Sequence, residues 1–270
     1  MTKEILKPAR CANEISQLLN KVLGRDRFPV DVHETALEWS KVKFPDDKIT
    51  VIKGNSLGKF EGGLYKAPPG KEGWGIFYNT NIESEGRINF TIAHELGHYL
   101  MHRNRHLKNF ECTSQQTLDW DSELGQIEAE ANSFAATLLM PLDDYRVFLP
   151  ASKLPNLDII SNCAERYGVS FTAAILRWLD YTSKTAMLVA SRDGFILWSR
   201  SSKNAMKRGV FYKVRGKPPI PVPNSSLAYQ NINNSEEKTS DIWFSSDCTE
   251  MTLISDKYDF TLSLLTFHNI

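Results

Sequence analysis

Six histidines occur in this chain of 270 residues, and four of them (His94, His98, His102 and His106) fall in and just after the stretch FTIAHELGHYLMHR that begins at Phe90. Histidine is the commonest side chain for holding a metal and for moving protons near neutral pH. Residues four apart on an α-helix lie almost above one another. His94 and His98 can therefore aim both imidazoles at one ion, as part of the tetrahedral set that a zinc ion requires. Glu95 is offset by about 100° around such a helix. That keeps it out of direct coordination but near the water the ion would activate, where hydrolysis needs a general base. Gly97 costs about 1 kcal/mol of helix stability relative to alanine, which is best explained by close packing of another element. The H-E-x-x-H pattern alone also arises on solvated helices, so a third ligand decides its meaning.

The segment LGQIEAEANSFAATLLM that starts at Leu124 offers two glutamates. At helical pitch, Glu128 shares an apolar face with Leu124, Ile127, Ala131, Phe134, Ala135, Leu138 and Leu139. Glu130 falls on the far side with Gln126, Ser133 and Thr137, where a solvated glutamate is expected. A carboxylate on an apolar face is costly unless it is paired. An arginine could pair it, but the upstream histidines favour a metal. Asn132, one turn beyond Glu128, could accept a hydrogen bond from a ligand imidazole, as the groups around metal ligands do.

The remaining polar candidates read more simply. His102 continues the stripe from His98 and reads as a packing or hydrogen-bonding group, since a catalytic ion keeps a position for water. His106 stands among Arg103, Arg105 and Lys108 in a solvated basic patch, and His33 and His268 read as structural. Cys112 reads as a small buried hydrophobe. Asp119, Asp121 and Glu123 read as an exposed acidic loop.

These side chains need elements to position them. Helical spacing of apolar residues covers 10–23, the segment VDVHETALEWSKV after Pro29, the HELGH stretch from Arg87, and 124–139 up to Pro141. Strand-like runs separated by glycines (KITVIKG, GGLYK, GWGIFYNT) lie between the second and third helices. A further helical segment spans 157–182. Beyond it come six strand-like runs: TAMLVAS, GFILWSR, GVFYKVR, DIWFSS, MTLIS and DFTLSLLTF. The segment PPIPVP must be an extended loop, because proline supplies no ladder donor. The expected architecture is α+β, with a mixed domain over 1–183 that includes the helical extension 157–182. A β-rich module over 184–270, expected to be a partner or regulatory surface without chemistry of its own, follows it.

Bulk properties narrow the function classes. The chain is 41% hydrophobic and 24% charged, ordinary for a globular protein. Lys+Arg and Asp+Glu total 32 each, so no global field draws the protein to nucleic acid or an anionic membrane. No run approaches transmembrane length, and MTKEILKPARCANEIS lacks the apolar core of a signal peptide. Cys11, Cys112, Cys163 and Cys248 are scattered without a CxxC pair, as expected of free thiols in a reducing, cytoplasmic setting. Between Gly194 and Ser235 there are basic residues (Arg200, Lys203, Lys207, Arg208, Lys213, Arg215 and Lys217) but no acidic one; this reads as a solvated face. CAERYGVSFTAAILRWL has the outline of a helix-turn-helix. Its second helix carries only Arg177 among several apolar residues, so it reads as domain packing and direct nucleic-acid binding is not expected.

With FTIAHELGHYLMH and EAEANSFAATLLMP both in hand, the chain resembles the ImmA/IrrE family of metallo-endopeptidases. The resemblance covers about residues 10–180. It includes Pro29-Val30-Asp31 at a helix start, the RINFT lead into the histidine helix, and the turn Tyr167-Gly168-Val169-Ser170. It implies a compact zincin-like fold, Zn2+ as the cofactor, His94, His98 and Glu128 as ligands, and Glu95 as catalytic base. It also implies a protein substrate of the DNA-binding, helix-turn-helix repressor kind, cleaved to relieve repression under stress or in mobile elements. An oxyanion would need a further donor, for which His102, Tyr99 or the 109–123 loop are candidates. The competing expectation is a zinc-containing regulatory protein that sequesters such a partner without cutting it.

Overall fold

A computed structural model describes residues 7–104, 110–112, 123–233, 236–255 and 259–268. The chain divides into two compact units, Met1–Asp144 with Ala164–Ser170, and Tyr145–Cys163 with Phe171–Ile270. Both mix helices and strands, so the chain is α+β as expected.

The first unit opens with helices α1 (Pro8–Leu23) and α2 (Val32–Lys43), the latter capped by Asp31, whose side chain accepts from the Glu34 N–H at 2.8 Å. Strands β1 (Ile49–Asn55), β2 (Gly62–Lys66) and β3 (Trp74–Asn79) follow, then helix α3 (Glu85–Met101), the short strand β4 (Phe110–Cys112) and helix α4 (Glu123–Leu139). The strands form one sheet in the order β1-β3-β2-β4. β1 runs parallel to β3, while β2 is antiparallel to both β3 and β4. β4 was not expected from the sequence.

The core lies where α3 packs on β2 and β3 and against α4, which also receives α1. On α4, Ile127, Ala131, Phe134, Ala135, Leu138 and Leu139 are all buried, as helical pitch predicts. Leu124 is the exception at 55% exposed; it stands in the first turn.

In α3, every residue from Thr91 to Leu100 is buried, polar ones included. Such all-round burial marks a central helix and obliges each polar side chain to find a partner.

In the second unit, α5 (Leu142–Phe148) and α6 (Leu157–Tyr167) lie across the boundary between units, and α7 (Phe171–Tyr181) lies wholly within it. Strands β5 (Ala186–Arg192), β6 (Phe195–Ser201), β7 (Glu236–Thr239), β8 (Cys248–Ser255) and β9 (Phe260–Phe267) form a second sheet in the order β6-β5-β9-β8-β7. All its pairings are antiparallel. Composition suggested a boundary near 183, but contacts group α7 with this sheet, because it packs on β5 and β6.

One face of the sheet carries a core of Met187, Val189, Ile196, Trp243, Leu265 and Phe267. Two expected strands are absent here. GVFYKVR runs irregularly, with Ser201 Oγ donating to the Val210 carbonyl at 2.8 Å. DIWFSS is a series of bends that sinks Trp243 into the core, and β7 takes the edge beside β8 instead. In both cases an apolar alternation that looks strand-like is satisfied by packing onto the sheet's face. The short helix α8 (Lys203–Lys207), capped by Ser202, was likewise not foreseen. PPIPVP is extended as expected: Ile220 accepts from Ile196 N–H and Val222 donates to the Gly194 carbonyl.

The α3–α4 contact is tight at Gly97. A Cβ there would lie 3.1 Å from Phe134 Cδ1 and 3.2 Å from Ala131 Cα. Gly97→Ala gains about 1 kcal/mol of helix propensity, but overpacking costs about 1–3 kcal/mol. The expected outcome is a lower unfolding midpoint in thermal or denaturant melts. A raised midpoint would show that α4 is free to step away.

Candidate metal centre

Helix α3 is held at both ends. At its start Ser84 accepts from the Arg87 N–H at 3.4 Å, and the Arg87 guanidinium pairs with Glu61. Towards its end Asp47, in a one-turn 3-10 helix (Pro45–Asp47), collects three donors. The Tyr99 hydroxyl donates to its carbonyl at 2.7 Å, and Trp74 Nε1 and Arg103 Nε donate to its carboxylate at 2.8 and 3.0 Å. Tyr99 is fully buried, with its hydroxyl committed to Asp47.

Between these anchors, three side chains from α3 and α4 converge. One donor atom each of His94, His98 and Glu128 lies within 4.8 Å of the others, and all three residues are buried. Glu128 Oε2 is 3.2 Å from His94 Nε2, and its Oε1 is 3.3 Å from His98 Nε2. The two Nε2 atoms are 2.9 Å apart. A tetrahedral ion with bonds of roughly 2.0–2.1 Å sets neighbouring donors roughly 3.3–3.5 Å apart. The carboxylate–imidazole distances match that spacing, and the imidazole pair is closer. Two imidazole nitrogens and one carboxylate, buried together, are a donor set suited to a divalent metal ion.

The surroundings support that reading. The His94 Nδ1–H donates to Asn132 Oδ1 at 2.9 Å, which turns its Nε2 towards Glu128. Burial opposes a charged His94, but the Glu128 hydrogen bond and the charges of Glu95 and Glu128 outweigh it, so its pKa lies above the ordinary imidazole value. Burial holds His98 down to about 4, aided by the neighbouring His94 and His102 rings. Burial alone would raise the Glu128 carboxyl, yet its hydrogen bonds with His94 and His98 keep it well below the usual carboxylate range. An ionised Glu128 and a neutral His98 are in the states that metal binding needs, whereas His94, whose proton is favoured by the same carboxylates, must release it to become a ligand.

Glu95 is fully buried. Its Oε1 lies 3.2 Å from where a Cβ on Gly62 would stand, and that Cβ would strike Thr91 Cγ2 at 2.4 Å. Only a glycine lets β2 come this close to α3. The pair Gly62-Gly63 at a strand start was the available sequence signal for this contact.

His102 is buried too, and it takes part in a chain of contacts that helical pitch did not foresee. His98 Nδ1 is 3.0 Å from His102 Nδ1, and His102 Nε2 is 2.9 Å from Glu130 Oε2. Glu130 was expected on a solvated face, but its side chain is only 33% exposed and reaches the buried imidazole. The available signal was His102 itself, a hydrogen-bonding group at the end of a buried helix that requires an acceptor. His33 and His268 are bonded to the Ile52 carbonyl and to Thr249 Oγ1, as structural residues. His106, Asp119, Asp121, the 113–122 loop and the side chains of Cys112 and Glu123 lie outside the described residues.

A comparison with family profiles matches residues 25–179 to the IrrE N-terminal-like domain, Peptidase_M78. The chain belongs to this family. Membership supports a peptidase, and a peptidase acts on a protein substrate. The matched segment contains every residue of the cluster around His94, His98 and Glu128. A comparison with curated proteins found no match. Among the described residues no helix is long and apolar enough to cross a membrane.

If the cluster holds a metal, His98→Ala and Glu128→Gln should each lower the metal content of the purified Peptidase_M78 chain, read by elemental analysis after dialysis. Wild-type stoichiometry retained in both variants would rule out this donor set.

Proposed function

We propose that the chain is a zinc-dependent endopeptidase with a zincin-like catalytic domain, and that it cleaves a helix-turn-helix transcriptional repressor to relieve repression. The observation that carries the reading is the convergence of His94, His98 and Glu128 with a buried glutamate, Glu95, beside the first ligand. A site that only stabilised the fold would have no use for that second carboxylate. The HExxH helix packed on a small mixed sheet supports the zincin-like description. The repressor substrate rests on the resemblance of FTIAHELGHYLMH and EAEANSFAATLLMP to ImmA/IrrE peptidases.

In this reading His94, His98 and Glu128 hold the zinc. When bound, zinc supplies Lewis-acid polarisation of a peptide carbonyl and acidification of water. Glu95 accepts the proton of the attacking water and later delivers it to the leaving amine. Asn132 keeps His94 in the tautomer whose Nε2 is available. Within residues 1–183, helices α3 and α4 carry this chemistry, and residues 184–270 serve as a partner or regulatory surface. The buried thiols of Cys11, Cys163 and Cys248 fit a reducing compartment, in keeping with a cytoplasmic protein.

Glu95→Gln separates cleavage from sequestration. Gln matches Glu in size and keeps an acceptor oxygen, but it takes no proton at neutral pH. The expected outcome is unchanged zinc content with cleavage of the partner repressor slowed by about 10²–10⁴-fold, measured on gels with purified components. A zinc-loaded variant that relieves repression as well as wild type would end the enzyme reading in favour of sequestration.

A further inference from the structure

We infer that His102 and Glu130 are positioning residues that set the tautomer of His98, so that its Nε2 lone pair faces the metal position; this rests on the proposed zinc site. Donors and acceptors alternate along one line of contacts from Glu130 through His102 to His98. An ionised Glu130 carboxylate only accepts, so the 2.9 Å contact with Oε2 requires the proton of His102 to be on Nε2. A His98 that gives its Nε2 lone pair to zinc carries its one N–H on Nδ1. The 3.0 Å contact between His98 Nδ1 and His102 Nδ1 then makes His102 Nδ1 the acceptor, in agreement with a proton held on its Nε2 by Glu130. His98 Nε2, 3.3 Å from Glu128 Oε1 and 2.9 Å from His94 Nε2, is the atom that faces the metal position.

Both rings are completely buried, so water is not at hand to replace either partner. The arrangement parallels that of His94, whose Nδ1–H donates to Asn132 Oδ1 at 2.9 Å. Each proposed ligand imidazole thus has its outer nitrogen committed. His94 uses an amide from α4, and His98 uses an imidazole that is itself held by a carboxylate from α4. Glu128, Glu130 and Asn132 stand two residues apart in turn along one helix, and the three serve the same centre from different distances. An outer partner of this kind typically changes metal affinity by 10–100-fold.

The test uses the full-length, zinc-loaded protein and two readouts that do not depend on cleavage. Zinc affinity is measured by competition with a chromophoric chelator. The protonation site of His98 is read by long-range 1H–15N correlation of its ring. The variants are Glu130→Leu, Glu130→Gln and His102→Phe. Glu130→Leu removes the acceptor at a partly exposed position that tolerates a folded protein, and it should weaken zinc by about 10–100-fold. Glu130→Gln keeps an acceptor oxygen for His102 Nε2–H and should restore affinity close to wild type. A well-folded His102→Phe protein should lose the protected Nδ1–H signal of His98 and bind zinc more weakly. Equal affinity in Glu130→Leu and Glu130→Gln, or a His98 ring protonated at Nε2 in the wild type, would overturn the relay alone. A wild type that binds no zinc would overturn the metal-site reading and the relay with it.

Discussion

The Glu128 carboxylate leaves water on the same face of α4 that buries Ile127, Ala131 and Phe134. An uncompensated charge in such a place costs several kcal/mol, so the helix is stable there only if another element brings matching donors. The imidazoles of α3 face the carboxylate at 3.2 and 3.3 Å, as partners through a proton or through a shared ion. Much of the first unit follows from this requirement. α3 must cross α4 closely, which places Gly97 against Ala131 and Phe134. It must also be wrapped on its remaining sides, which the sheet provides through β2 and β3.

Enclosure of a polar helix makes each of its partners consequential. Asp47 gathers Tyr99, Trp74 and Arg103 at one end of α3, while Ser84 and the Arg87–Glu61 pair secure the other. The charged and hydrogen-bonding groups of the centre therefore sit on regular elements whose rotamers are held by packing, the condition for precise placement of reacting groups. Gly62 performs a complementary task, allowing a strand to press on the helix beside Glu95.

The second unit has a different character. Its sheet hides a polar group as well: Glu250 is fully buried, accepts N–H bonds from Leu227 and Ala228 at 3.1 and 3.2 Å, and has its pKa pushed up by burial. That carboxylate ties the segment between α8 and β7 to the sheet rather than forming a cluster of ligands. Among the described residues, the group of three donors that could hold a metal ion lies in the first unit. The basic side chains Lys203, Lys207, Arg208, Lys213, Arg215 and Lys217 are all exposed, in keeping with a solvated face.

Periodicity along a single helix carried a great deal. Spacing of four brings His94 and His98 to one side, and the apolar arc of α4 by itself separates a buried Glu128 from its neighbours. The same arithmetic misplaced Glu130, because helical pitch reports which side of an element faces the core but not how far a long side chain reaches past its edge. It left Tyr99 open as a donor, whereas Asp47, far away in sequence, claims its hydroxyl. Strand-like alternation at 209–215 and 241–246 was equally blind to whether a run would join a ladder or lie across the face of one. Local pattern determined the elements and the buried face of each. Only the packing of α3, α4 and β2 decided which atoms meet, since hydrogen bonds across three elements depend on distances that no single element contains.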